Sequence, residues 1–120
     1  MHMTLTKEQI LAASDIKIEK VAVPEWGGEV YVKGMTGSER DKFEASIIEI
    51  RGNTQKANLA NVRAKLACFT ICDESGARLF SEEEIVELAK KSAQALQRVF
   101  DAAQRLSGIG SEDVDSLLKN

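Results

Sequence analysis

Apolar positions along the chain follow two different periods, and the switches between them mark the elements. Thr6-Lys7-Glu8-Gln9 has capping-box spacing, in which the Thr6 hydroxyl accepts from an early helical amide while Gln9 reaches back, and Ile10, Leu11 and Ala13 follow, so a short first helix is predicted. From Ile16 the period shortens. Ile16, Ile18, Val21 and Val23 alternate imperfectly with Lys17, Glu19 and Lys20, and Val30, Tyr31 and Val32 form a second β-rich run. Between them Pro24-Glu25-Trp26-Gly27-Gly28 reads as a hairpin loop, because proline cannot donate to a ladder and the glycines can adopt positive φ where the chain reverses.

Helical spacing then returns. Thr36-Gly37-Ser38-Glu39 is a second capping box, with Phe43, Ile47 and Ile50 on one stripe and Gly52-Asn53 as the expected stop. Leu59, Val62, Leu66 and Phe69 predict a buried central helix in an alanine-rich stretch. Asp73-Glu74-Ser75-Gly76 is a turn, followed by the apolar pair Leu79-Phe80 and a third box, Ser81-Glu82-Glu83-Glu84. Ile85, Leu88, Ala89, Ala93, Leu96, Val99, Phe100, Ala103 and Leu106 trace a long apolar face, continuous or bent near Lys90-Lys91-Ser92, which Gly108-Ile109-Gly110 should end. Val114, Leu117 and Leu118 follow on a short last turn. The fold class is therefore α+β: a small antiparallel β-hairpin with about four helices, helix-dominated.

The whole of residues 1–120 is read as a single domain, with Met1-His2 as a cloning remnant and 108–120 as a tail, docked or flexible. A formal charge of −3 on this length disfavours a general affinity for nucleic acid or anionic membrane. No apolar run approaches a membrane span, and no apolar stretch of signal-peptide kind precedes Lys7 and Glu8, so a cytosolic protein is expected.

Candidate chemistry is sparse. His2 is the sole histidine and belongs to the remnant, which removes a triad, a Cys-His pair and a histidine metal site. No phosphate-binding glycine loop occurs, since Gly34-Met35-Thr36-Gly37 lacks both the spacing and the lysine. Cys68 and Cys72 would share one helical face, yet two thiolates leave a zinc site half built, and buried reduced cysteine is the simpler reading. Glu82, Glu83, Glu84 and Glu87 suit the first turn of a helix without a bound cation. Arg51, Lys56, Arg63 and Lys65 form the most basic stretch, but Glu44, Glu49, Asp73 and Glu74 offset it. Catalytic, cofactor and metal sites are thus all expected to be absent. Trp26, the single tryptophan, either folds back on the sheet or serves as a partner anchor at a hairpin tip.

The order of these pieces resembles the tail assembly chaperones of long-tailed bacteriophages and prophages. The likeness runs from Met3 to Leu106 and is carried by the β-run 16–23, by Pro24-Glu25-Trp26-Gly27-Gly28-Glu29-Val30-Tyr31-Val32-Lys33, by Met35-Thr36-Gly37-Ser38-Glu39-Arg40-Asp41-Lys42-Phe43-Glu44, and by Cys72-Asp73-Glu74-Ser75-Gly76-Ala77-Arg78-Leu79-Phe80-Ser81. The resemblance implies a non-enzymatic protein of the bacterial host cytoplasm, absent from the finished virion. It implies binding to the long, helical tape measure protein and recruitment of major tail tube protein, with no cofactor. Self-association along such a client follows as an expectation, with Trp26, Tyr31, Val114, Leu117 and Leu118 as candidate partner-binding residues. A secretion-type chaperone and a small DNA-binding regulator using 56–65 are the alternatives.

Overall fold

The computed structural model describes residues 4–51 and 54–109. Helix α1 (Lys7–Ala12) starts at the Thr6 box, where the hydroxyl accepts from the Gln9 amide at 3.2 Å and the Gln9 side chain accepts from the Thr6 amide at 2.9 Å. Strands β1 (Ile18–Val23) and β2 (Gly28–Lys33) pair antiparallel, with Glu19 opposite Val32, Val21 opposite Val30 and Val23 opposite Gly28. Because opposed residues share a face, Val21, Val23, Val30 and Val32 lie together on the core side. A third strand, β5 (Ile71–Cys72), adds to β2, so the sheet order is β1-β2-β5.

Helix α2 (Gly37–Ile47) begins at the Thr36 box and buries Phe43 and Ile47. It stops five residues before the expected Gly52-Asn53, which lies outside the described residues. The chain passes directly into β3 (Ile48–Arg51), paired antiparallel with β4 (Thr54–Ala57). The physical reason is the β-branched cluster Ile47-Ile48-Glu49-Ile50, which favours extended backbone, and the register that sets Arg51 opposite Thr54. Ile50 is therefore on a strand and does not continue the stripe of Phe43 and Ile47.

Helix α3 (Val62–Thr70) is the buried central helix foreseen from the pattern, shorter at both ends. Leu59 precedes it, and its entry residue Asn61 takes a left-handed conformation (φ 59°) that asparagine tolerates. Cys72 sits on β5, so the two cysteines do not share a helical face; the β-branched Thr70-Ile71 pair leads the chain into the sheet. Both cysteines are buried and reduced, and burial pushes each thiol pKa up.

The long apolar face is divided. A 3-10 turn at Glu82–Glu84 leads into α4 (Ile85–Leu88), and a break at 89–92 precedes α5 (Ala93–Leu106). Ser92 restarts the helix by accepting the Ala95 amide at 3.2 Å. Ala95, Leu96, Val99, Phe100, Ala102 and Ala103 are buried against the sheet and α3. The glycine stop works as expected: Gly108 has φ 71°, its amide donates to Arg105, and the Ile109 amide reaches back to the Gln104 carbonyl at 2.9 Å.

Gly34 lies where β2 meets the end of α5. A Cβ there would stand 2.5 Å from the Leu106 carbonyl oxygen, so only glycine permits the approach. The Met35 amide donates to the Ser107 hydroxyl at 3.0 Å across the same junction. Nearby, Lys33 on the opposite sheet face pairs with Glu39 at 3.1 Å, with both side chains largely covered. Burial works against the Glu39 charge, but the Thr36 amide and the Lys33 ammonium outweigh it and hold the carboxyl below its ordinary range.

Candidate partner-binding surface

The hairpin tip is built from residues that cannot continue a ladder. Pro24–Trp26 form one 3-10 turn, closed by the Gly27 amide donating to Pro24 at 3.0 Å, with Gly27 at φ 76°. Glu25 then anchors the tip to α5 through two bonds from Arg98, at 2.9 and 3.1 Å. The Arg98 guanidinium holds the Glu25 carboxyl below its ordinary range. This clamp sets Trp26 against the core, half-buried.

Beside Trp26 opens a groove of about 450 Å³ lined by Trp26, Phe80, Glu87, Leu88 and Lys91. Its wall at Phe80 is fixed by Arg78, whose guanidinium donates to the Cys68 and Phe80 carbonyls, each at 3.2 Å, and stacks 4.6 Å from the Phe69 ring centroid. The opposite wall comes from α4, whose start is set by Glu84 accepting from the Ser81 amide at 2.9 Å. The result is an apolar floor with one acid and one base at its rim. Such a surface suits an apolar side chain on a short helix.

A model of the phage tail assembly chaperone family matches residues 6–119. The chain belongs to that family. Among solved structures it is similar to the tail assembly chaperone of bacteriophage HK97, with 18% identity over 82% of this chain and 94% of that one, and a TM-score of 0.58. At that identity the likeness shows the fold alone. No protein of curated function matches the sequence.

In this tail assembly chaperone the predicted site residues are not gathered at one place. Trp26 is packed against the core, as the first of its two readings expects, and also lines the groove. Tyr31 is on the other face of the sheet, where its hydroxyl donates to Glu74 at 3.0 Å and Lys20 stands 5.6 Å over its ring. The Glu74 carboxylate raises the Tyr31 pKa. Val114, Leu117 and Leu118 lie outside the described residues. Phe80 and Leu88 were legible only as an apolar pair and a stripe position, because the break that turns α4 toward the hairpin tip is not periodic. Glu87 and Lys91 were legible only as a first-turn acid and as part of the expected bend, not as groove residues.

The basic stretch is not a free recognition helix. Residues 54–57 form a strand, Lys65 donates to the Ser46 carbonyl at 2.9 Å, and Arg63 bonds Gln97 and lies 5.8 Å over the Phe100 ring. Among the described residues no three acidic, cysteine or histidine groups gather to hold a metal, and no helix is long and apolar enough to cross a membrane.

Apolar surface elsewhere is concentrated on α1 and its flanks. Leu5, Ile10 and Leu11 are 53%, 58% and 76% exposed, and α1 buries no residue. Leu79 and Val86, at 56% and 62%, add apolar surface around α4.

Proposed function

We propose that this tail assembly chaperone is a non-enzymatic protein that binds and solubilises the tape measure protein and helps recruit major tail tube subunits during tail morphogenesis. It acts in the cytoplasm of the bacterial host and is left out of the finished virion. The reading is supported by the family and by one physical observation, the amount of apolar surface left open on so small a chain: Leu5, Ile10, Leu11, Leu79 and Val86 are each more than half exposed. Contact of that kind is undemanding of sequence and suits the apolar stripes of a long helical client. Several copies along one client cover it without any single tight site.

Co-expression with the tape measure protein tests this. The expected outcome is tape measure protein that is insoluble alone and that becomes soluble and co-elutes with this chain. Unchanged insolubility, with this chain eluting by itself, would refute the reading in favour of a chaperone for a different client.

A further inference from the structure

We draw no further inference here: the strongest candidate, the outer edge of β1, where the register turns the backbone groups of Ile18, Lys20 and Ala22 away from β2, carries nothing, because nothing in the structure shows what covers it.

Discussion

Helices α1 and α2 start with nearly the same local chemistry and finish in different surroundings. In each, a threonine hydroxyl accepts the amide three residues on, at 3.2 Å for Thr6 and 3.1 Å for Thr36, and the side chain at that position accepts the threonine amide at 2.9 Å. Yet α2 carries Phe43 and Ile47 into the core, while α1 buries nothing. A capping box fixes where a helix begins by satisfying amides that have no intrahelical partner. What the helix is for depends on whether its apolar side chains meet the body.

The sharpest way to break the comparison is to truncate an apolar side chain in each setting. Phe69→Ala, fully buried in the central helix α3, should lower unfolding free energy by about 3–5 kcal/mol, and Leu11→Ala should change it by less than about 0.5 kcal/mol, both read from urea melts. A comparable loss at Leu11 would mean that α1 packs on the body of the chain.

A second comparison lies between the two boxes themselves. Glu39→Gln turns the α2 box into the Thr-Gln form that α1 already uses, keeping the cap and removing only the charge that faces Lys33. At neutral pH this should cost about 1.5–3 kcal/mol, the range for a hydrogen bond to a charged group. The sign of its pH dependence is fixed by the lowered Glu39 pKa. Its contribution is fully present above the ordinary glutamate range and is lost as pH falls through the lowered value, so native and Glu39→Gln stabilities should converge in acid. Parallel curves down to strong acid would show that the Lys33 pair contributes nothing through charge.

The smallest effect should come from the caps. Thr36→Ala is expected to cost about 1 kcal/mol of global stability, whereas Thr6→Ala should leave it unchanged and only speed hydrogen exchange at the Gln9 amide. Equal global losses would place α1 within the cooperative unit.

Much of this was legible in the letters. All three boxes mark real starts, the third of a 3-10 turn, the Pro24 to Gly27 loop is a turn, and Gly108 ends α5, because each depends on residues within one or two turns of chain. The misreadings share a cause. Ile50 continued the stripe of Phe43 and Ile47 by spacing, and Cys72 stood four after Cys68, but a stripe is evidence of periodicity and not of which backbone carries it. Gly52-Asn53 was read as a helix stop, although a Gly-Asn pair between two short runs is also a hairpin signal.

The candidate site was less legible than the fold. Trp26 stood out by composition, but its companions Phe80 and Leu88 are 54 and 62 residues away in sequence and join it only after Arg98 clamps the tip and the chain breaks after α4.

The sequence by itself determined the starts of α1 and α2, the hairpin turn at Pro24 and the stop of α5 at Gly108, since capping and turn chemistry act locally. Only the tertiary structure decided that β5 completes the sheet, that Gly34 admits the end of α5, that a groove opens beside Trp26 and that α1 remains uncovered. Those outcomes depend on which apolar faces meet across long stretches of chain, and burial is a property of that meeting rather than of any residue's neighbours in sequence.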